Sequence, residues 1–226
     1  MLLGVSPRWL HLAIMSHWLQ ALFFLLFVRP FLALVLGVNL RHAERLPQSG
    51  PAILAANHNS HLDTLLLMSL FPMNQLHQLR PVAAADYFLS NPLVAWFSRN
   101  IIRILPLKRK VERGDDLFAP LLEELDKGRI LILFPEGSRG EPEKMSQFKN
   151  GIAHLTSLRP DVPVIPVYLH GLGKVLPKGD WLPVPFFVDG FVGEEIRGIE
   201  NRTEFMAALK SAFESLTAEG KFGEWE

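Results

Sequence analysis

The sequence predicts an α/β fold, a three-layer domain whose mainly parallel or mixed sheet is flanked by helices, preceded by an apolar helical motif. Three observations support this prediction. Short apolar runs of strand length alternate with segments of helix length and helical periodicity. No internal repeat or low-complexity tract interrupts the alternation. Hydrophobic residues make up 49% of the 226 residues, which is ample material for a core. Such alternation is typical of a sheet with helices on both faces.

The predicted elements follow one another along the whole chain. Strands are expected at residues 52–56, 82–85, 101–107, 130–134, 162–169 and 186–192. Helices are expected at residues 62–70, 91–98, 114–127, 147–158 and 203–216. Residues 40–50 form a polar, turn-rich connector. The strand at 162–169 contains Pro163 and Pro166, which predicts an edge position or irregular pairing.

Residues 9–40 are the most apolar part of the chain, and we expect them to form a helical motif that associates with a membrane. Two apolar runs of eight residues, ALFFLLFV and FLALVLGV, are separated by Arg29 and Pro30. A spanning helix needs about 20 apolar residues, and a central charge and proline both disfavour one. We therefore predict a bent pair of helices that dips into one leaflet, with packing on the domain's own core as the alternative. This interpretation divides the chain into membrane-associating helices, residues 1–40, and a main domain, residues 41–226.

Composition and charge exclude several classes of function. The 23 basic and 23 acidic residues give a formal net charge of zero, so no general nucleic-acid-binding surface is predicted. The chain has no cysteine, which excludes disulfides, cysteine nucleophiles and thiolate metal sites and fits a reducing compartment. Residues 99–113 nevertheless form a basic segment, which predicts an anion site or a face toward acidic lipid. Its basic residues are Arg99, Arg103, Lys108, Arg109, Lys110 and Arg113, opposed only by Glu112.

A histidine and an aspartate lie where the first predicted strand of the main domain gives way to a helix. In the stretch PAILAANHNSHLDTLLL, His58 follows the strand and Asp63 falls in the first turn of the helix. Ligand sites of α/β domains usually lie at this edge of the sheet. Imidazole exchanges protons near neutral pH, and a neighbouring carboxylate fixes its tautomer and favours its charged form. The pair therefore predicts a general base and its orienting partner.

Two other interpretations of this turn remain open. Asp63 can simply complement the helix dipole while His58 satisfies backbone groups of the loop. Alternatively, His58, His61 and Asp63 can be metal ligands, because two imidazoles and a carboxylate bind zinc or iron. That arrangement would crowd all three ligands into one short turn folded around the ion.

A second polar turn, FPEGSRG at residues 134–140, follows another buried strand. Its backbone amides, hydroxyl and guanidinium can converge on a phosphate. The following segment FKNG adds a further cation beside a glycine. A tight turn closed by an internal Glu–Arg ion pair is the alternative interpretation. The candidate ligands are Glu136, Gly137, Ser138, Arg139 and Lys149.

Together these motifs resemble the glycerolipid acyltransferase family of the PlsC type, which includes 1-acylglycerol-3-phosphate acyltransferases. The resemblance rests on the histidine, four intervening residues and the aspartate, followed by FPEGSR, and covers roughly residues 38–195. Two weaker segments agree: LPLKR at 105–109 resembles the second family motif, and VIPV at 164–167 resembles the fourth. The second motif implies that Arg109 binds phosphate, with Arg103 as a competitor. Lys108 stands where the family usually has an aspartate.

The resemblance implies an enzyme that moves a fatty acyl group from a thioester to a lysophospholipid hydroxyl. The expected donor is acyl carrier protein or coenzyme A, and the expected acceptor is 1-acylglycerol-3-phosphate. No resident cofactor or metal is implied, and the expected location is the cytoplasmic face of the inner or plasma membrane. Because the chain has neither a GxSxG elbow nor a cysteine, direct attack assisted by His58 and Asp63 is expected. The implied substrate-binding residues are Arg109, Glu136, Gly137, Ser138, Arg139 and Lys149.

Two rivals come from other functional classes. A lipid-binding protein that keeps the fold without catalysis would bind vesicles and consume no thioester. A metal-dependent hydrolase using His58, His61 and Asp63 would lose activity in chelator and release free fatty acid or phosphate. Within the acyltransferase interpretation, the sequence leaves the exact acceptor, the chain length, the donor and the oligomeric state open.

Overall fold

The computed structural model describes residues 16–88, 91–108, 116–140, 143–176, 182–220 and 222. Its strands are β1 (Leu36–Arg41), β2 (Ala52–Ala56), β3 (Leu79–Ala84), β4 (Leu105–Leu107), β5 (Ile130–Leu133), β6 (Val164–His170) and β7 (Phe186–Val192). Its main helices are α1 (Ser16–Val35), α2 (Leu62–Ser69), α3 (Pro92–Phe97), α4 (Ala119–Asp126), α5 (Gly151–Leu158) and α6 (Arg202–Gly220). Shorter helical turns lie at Ala43–Arg45, Met73–Gln78, Ala85–Phe88, Ser98–Ile102 and Leu172–Val175.

The strands form one mixed sheet in the order β1-β7-β6-β2-β5-β3-β4. Neighbouring strands are parallel except β6 and β7, which are antiparallel. The strands from β6 to β4 in this order therefore run in one direction, and their carboxyl ends meet at one edge. This topology confirms the predicted α/β class with a mixed sheet flanked by helices.

Helices cover both faces of the sheet because side chains alternate along each strand. In β2, Leu54 packs into a core shared with α1 and α2, whereas the adjacent Ile53 packs into a second core shared with α4, α5 and α6. All five residues of β2 are buried. The continuous apolar run that predicted this strand is thus a consequence of its two covered faces.

The N-terminal helix is continuous, which corrects the predicted break at Arg29 and Pro30. α1 runs through 20 residues, with a π-helical segment immediately before Arg29. The α-helical geometry resumes at Arg29, so Pro30 stands in a first-turn position where proline is tolerated. Arg29 Nη2 donates a hydrogen bond of 2.7 Å to the carbonyl oxygen of Phe71, just beyond α2. The charge in the middle of this apolar helix therefore fastens α1 to the domain.

One stripe of α1 packs on the domain and the rest is exposed. Gln20, Phe24, Val28 and Leu32 recur every four residues and are all at most 4% exposed. The helix is long and apolar enough to cross a membrane, and only these four of its 20 residues are buried. Its exposed apolar residues include Trp18, Leu22, Leu25, Leu26, Phe27 and Leu34.

Two segments differ from their predicted secondary structure. Residues 36–41 form β1 instead of ending a helix, because they pair in parallel with β7 and Asn39 Nδ2 donates to Asp189 Oδ1 at 2.9 Å. This strand crosses the predicted division at residue 40. Within the predicted strand 101–107, Arg103 adopts a left-handed conformation with φ of 62°, and only Leu105–Leu107 pairs with β3.

β6 lies inside the sheet, whereas its prolines predicted an edge or irregular strand. The amide of Ile53 donates to the carbonyl of Pro163, and the amide of Gly193 donates to the carbonyl of Pro166. Pairing of β6 with β7 begins only at Val167. Both prolines therefore serve as acceptors, and the N–H that Pro166 lacks is not needed for pairing with β7. The other predicted elements are present with bounds that differ by a few residues, although residues 114 and 115 lie outside the described part.

Candidate active site

A cleft of about 910 Å³ lies at the edge of the sheet where β2, β5, β3 and β4 end. It brings together the two polar turns that the sequence singled out. Its polar lining includes His58, His61, Lys108, Ser138, Arg139 and Lys149. Its apolar lining includes Phe23, Leu65, Val94, Phe97, Ile102 and Phe134. The cleft thus has a cationic part beside His58 and an apolar part that reaches α1 and α3.

The predicted histidine–aspartate pair is assembled. His58 Nδ1 lies 2.9 Å from Asp63 Oδ2, although five positions separate the residues in sequence. The His58 side chain is 18% exposed and lines the cleft, whereas Asp63 is fully buried behind it. With Nδ1 bonded to the carboxylate, Nε2 is the ring nitrogen left to exchange a proton with a substrate.

Asp63 also organises the turn that carries His58. Its Oδ2 accepts hydrogen bonds from the backbone amides of Asn59 at 2.6 Å and Ser60 at 2.8 Å. Burial raises the pKa of Asp63 above 3.8, although the hydrogen bonds from His58 and these two amides oppose the shift. One carboxylate oxygen therefore both pairs with the imidazole and holds the backbone of the turn that carries it.

The alternative metal site is not assembled. Among the residues that the structure describes, no three histidine, aspartate or glutamate side chains are grouped so that they could hold a metal ion. Asp63 Oδ2 is already engaged by three donors, since the imidazole and two amides all bond to it. The hydrogen bonds to this one oxygen account for the shape of the turn at His58, His61 and Asp63.

Two further contacts hold the His58 turn in place. The Phe134 ring stacks on it, with 4.0 Å between the ring centroids. The preceding residue, Asn57, exchanges two hydrogen bonds with the backbone of Leu169 in β6, at 2.8 and 2.7 Å. The end of β2 is thereby tied to its neighbouring strand, which explains an asparagine at this position.

Glu136 faces the backbone rather than the cleft. Its Oε1 accepts a hydrogen bond of 2.8 Å from the amide of His58, and its Oε2 accepts one of 2.6 Å from the amide of Ser146. The residue is only 3% exposed and is not among those that line the cleft. Oε1 therefore joins the FPEGSRG turn to the His58 turn, and Oε2 holds the following loop at Ser146. The predicted contact of Glu136 with substrate stays a prediction.

The other residues of the second turn do line the cleft. Gly137 has a left-handed φ of 73°, and a Cβ atom there would lie 2.6 Å from Lys149 Nζ. The left-handed turn favours glycine, whereas the flexible end of the Lys149 side chain could move away from a Cβ atom. Ser138 and Lys149 are exposed, and Arg139 is half-buried. This end of the cleft presents charge on side chains that reach toward solvent.

The structure describes only part of the basic segment. Arg109 and Lys110 lie outside the described residues, so the predicted phosphate role of Arg109 stays a prediction. Lys108 lines the cleft. Arg103 is directed toward α1, where its Nη2 donates to Ser16 Oγ at 2.6 Å, and is not among the lining residues. His61 lies at the surface of the cleft, where desolvation and the nearby Arg139 lower its pKa to about 4.

Glu143 is a residue that the sequence analysis missed. Its carboxylate accepts hydrogen bonds of 2.9 Å from the amides of Gly171 and Gly173, and His170 Nδ1 lies 3.0 Å away. Asn59 Nδ2 donates to it at 3.4 Å. Glu143 therefore joins the loop after FPEGSRG to the end of β6 and to the His58 turn. No local pattern marks it, because its partners are distant in sequence.

The chain is similar to known acyltransferases in sequence and in fold. A family model described as "Acyltransferase" matches residues 37–170. A chloroplastic 1-acyl-sn-glycerol-3-phosphate acyltransferase of Arabidopsis thaliana is 32% identical over 144 residues, which are 63% of this chain and 38% of that protein. The 1-acyl-sn-glycerol-3-phosphate acyltransferase of Pseudomonas aeruginosa is 25% identical over 187 residues, 80% of this chain and 67% of that protein.

The crystal structure of the 1-acyl-sn-glycerophosphate acyltransferase PlsC from Thermotoga maritima has the same fold. The two structures match with a TM-score of 0.73 over 98% of this chain and 86% of that one, at 20% sequence identity. This chain spans about two fifths of the length of the chloroplast relative. The family match covers more than half of the chain and includes both turns of the cleft, so the chain belongs to the acyltransferase family.

Proposed function

We propose that this chain transfers a fatty acyl group from an acyl thioester to the hydroxyl of 1-acylglycerol-3-phosphate. The observation that carries the proposal is the bond between His58 Nδ1 and Asp63 Oδ2, in a cleft that also holds Arg139 and Lys149. A proton acceptor next to cations is the combination that a phosphate-bearing alcohol requires. The names of the chloroplast and Pseudomonas relatives support the same acceptor.

In the proposed reaction His58 acts as general base. Asp63 accepts a hydrogen bond from Nδ1–H, so Nε2 carries the lone pair that removes the proton from the acceptor hydroxyl. The oxygen attacks the thioester carbonyl carbon, and the tetrahedral species expels the sulfur as the carbon–sulfur bond breaks. The imidazolium then returns its proton to the leaving thiolate. General-base assistance of this kind typically contributes about 10²- to 10⁴-fold in rate.

The cationic part of the cleft is proposed to bind the phosphate of the acceptor. Lys108, Arg139 and Lys149 line the cleft together with His58. A guanidinium and ammonium groups suit a phosphate, because hydrogen bonds between charged partners are the strong ones. Holding the phosphate places the hydroxyl near Nε2, and such positioning can supply about 7 to 11 kcal/mol of a barrier. Ser138 and the backbone at Gly137 complete the proposed phosphate site, and Arg109 is proposed from the family motif.

Glu136 is proposed to position the catalytic turn. Its Oε1 holds the amide of His58 and the next residue, Gly137, lines the cleft, so Glu136 fixes the base relative to the proposed phosphate site. Substrate contact is not required for this role.

The apolar part of the cleft is proposed to take the acyl chains, with acyl carrier protein or coenzyme A as the donor and no resident cofactor. The exposed apolar side of α1 supports association with a membrane, and we propose the cytoplasmic face of the inner or plasma membrane. A protein that only binds lipid is the second candidate, because the same surface would bind vesicles without chemistry.

The test is incubation of the purified full chain with labelled acyl thioesters and a panel of lysophospholipids in vesicles, followed by lipid separation. We expect labelled phosphatidic acid from 1-acylglycerol-3-phosphate, and none from the His58→Ala variant. Vesicle binding without thioester consumption would identify a lipid-binding protein instead. Release of free fatty acid that is sensitive to chelator would identify a metal-dependent hydrolase.

A further inference from the structure

Helix α3 exposes an apolar face that the packing of the domain does not explain. Leu93 is 78% exposed, Trp96 is 54% exposed and Val94 is 42% exposed. The helix PLVAWF contains no charged residue. Its start is well formed, since the Asn91 side chain accepts hydrogen bonds from the amides of Leu93 and Val94. A well-capped helix that turns its large apolar side chains outward indicates an interaction surface.

This face of α3 adjoins the exposed apolar side of α1. Phe97 of α3 packs edge-to-face against Phe23 of α1, with 5.1 Å between the ring centroids. α1 exposes Trp18 and Phe27 among other apolar residues. Each helix therefore carries an exposed tryptophan, the residue type enriched where proteins meet the membrane interface.

The surface formed by α1 and α3 is continuous with the interior of the cleft. Phe23, Val94 and Phe97 line the apolar part of the cleft, and His58 lines the same cleft. Arg99 is exposed just beyond α3, which suits the phosphate of a lipid head group. A lipid bilayer fits all three features, because it offers acyl chains to the helix faces and the cleft and head groups to the arginine.

We propose that α3 is a second membrane-inserted element, whose Leu93, Val94 and Trp96 enter the same leaflet as α1. The part of the cleft lined by Phe23, Val94 and Phe97 then borders the acyl-chain region, so chain-bearing substrates enter sideways without leaving the bilayer. The sideways entry rests on the proposed function, whereas the insertion of α3 does not.

The insertion is tested with the full chain carrying Trp96 as its single tryptophan, the other four being replaced by phenylalanine. Vesicles of phosphatidylcholine and phosphatidylglycerol with brominated acyl chains are added, and Trp96 fluorescence is recorded. We expect a blue shift and quenching of Trp96. Unquenched emission from vesicle-bound protein would overturn the insertion. The His58→Ala variant in the same background is expected to be quenched equally, so this measurement does not depend on catalysis.

A matched pair of variants keeps the native tryptophans. Leu93→Glu is compared with Leu158→Glu, because Leu158 is 45% exposed on α5, on the opposite face of the sheet. We expect Leu93→Glu to lower vesicle affinity about tenfold. Leu158→Glu should leave vesicle affinity unchanged, and both variants should keep the melting temperature. Equal vesicle affinities of the two folded variants would overturn the role of α3.

Sideways entry is tested by the choice of acceptor. With long-chain 1-acylglycerol-3-phosphate in vesicles, Leu93→Glu is expected to lose about tenfold in rate, in line with its lost affinity. With a short-chain, water-soluble acceptor its rate should match that of the wild type. Equal losses on both acceptors would overturn sideways entry. Inactivity of the wild type on every acceptor would remove the proposed function, while the fluorescence result would still decide the insertion of α3.

Discussion

The two polar turns of the cleft are built in opposite ways. The turn that carries His58 is tied down from behind, by a fully buried Asp63 and a nearly buried Glu136 that together bond its ring and its backbone. The second turn, with Ser138, and the following segment, with Lys149, send these side chains out toward solvent. Proton transfer requires a fixed distance and angle, whereas a cation attracts phosphate over a range of positions. Substitutions in the first turn are therefore expected to affect kcat, and those in the second KM.

Replacing His58 is the strongest way to break this comparison. We expect His58→Ala to lower kcat by about 10⁴-fold, at the upper end of what a general base contributes. The KM for the acceptor should change little, because the cations remain. Circular dichroism and vesicle binding should match the wild type. Acyl transfer at the wild-type rate would remove the assignment of His58 as the base.

Replacing Asp63 by asparagine should have a smaller effect. The amides of Asn59 and Ser60 donate hydrogen bonds to Oδ2, so the side-chain oxygen of asparagine is expected at that position. It would still accept the hydrogen bond from Nδ1–H of His58. The tautomer is kept but the negative charge that stabilises the imidazolium is lost. We expect kcat to fall about 10²-fold, less than for His58→Ala. An equal loss of kcat in the two variants would show that Asp63→Asn also removes the productive tautomer of His58.

The stability of the Asp63→Asn variant gives a second measurement. Burial raises the folded-state pKa of Asp63 above 3.8, so the folded protein binds this proton more tightly than the unfolded chain. The wild type therefore loses stability as the pH rises from 3.8 through the raised pKa, and the variant lacks this loss. Urea unfolding across that interval should show the free energy of unfolding of the variant rising relative to the wild type. A constant difference would contradict the raised pKa.

Glu136→Gln tests whether Glu136 acts with the FPEGSRG turn, to which it belongs in sequence, or with the His58 turn, which it contacts. The residue belongs to the FPEGSRG turn, but it holds the amide of His58 at 2.8 Å. A glutamine would turn its NH₂ group toward one of two backbone amides and leave that pair unsatisfied, which costs about 1 to 3 kcal/mol of stability. We expect kcat to fall about tenfold with little change in KM, as for the first turn. A change in KM alone would return Glu136 to the phosphate site.

Arg139→Ala should show the opposite pattern. We expect the KM for the acceptor to rise about tenfold, which is the worth of one hydrogen bond to a charged group. The kcat value at saturation should stay near that of the wild type, and the loss should shrink at high salt because exposed charges are screened. Steady-state kinetics at two ionic strengths measure both effects. A fall in kcat without a change in KM would argue against phosphate binding.

The fold could be predicted where burial alone decides the structure. β2 and β5 are continuous apolar runs because both of their faces are covered, and both were expected. β1 was missed because its apolar residues directly follow those of α1 in sequence. They form a strand because they pair with β7, which lies 150 residues further along the chain. Arg103 was placed in a strand because nothing in its neighbours indicates a left-handed turn. Pairing between distant segments is what a local pattern cannot contain.

The sequence indicated which residues lie at the site, but it indicated few of the contacts between them. The spacing of His58 and Asp63 indicated their hydrogen bond, because a strand-to-helix turn brings such positions together. The direction of the Glu136 carboxylate was not readable, since a motif does not tell whether a side chain faces a ligand or the backbone behind it. Glu143 was missed for the same reason that β1 was, because its partners lie in the His58 turn and at the end of β6.

The smallest expected effect belongs to His61, which lies in the cleft between the two turns. Desolvation and Arg139 lower its pKa to about 4, so its imidazole is neutral from about pH 5 upward and adds no charge to the phosphate site. His61→Gln should therefore change kcat/KM by no more than about twofold, the usual range for surface substitutions. The pH–rate profile between about pH 5 and 8 should keep its shape, because His61 does not titrate there. Loss of the acidic limb in this variant would assign that limb to His61 and would show that the phosphate site includes its charge.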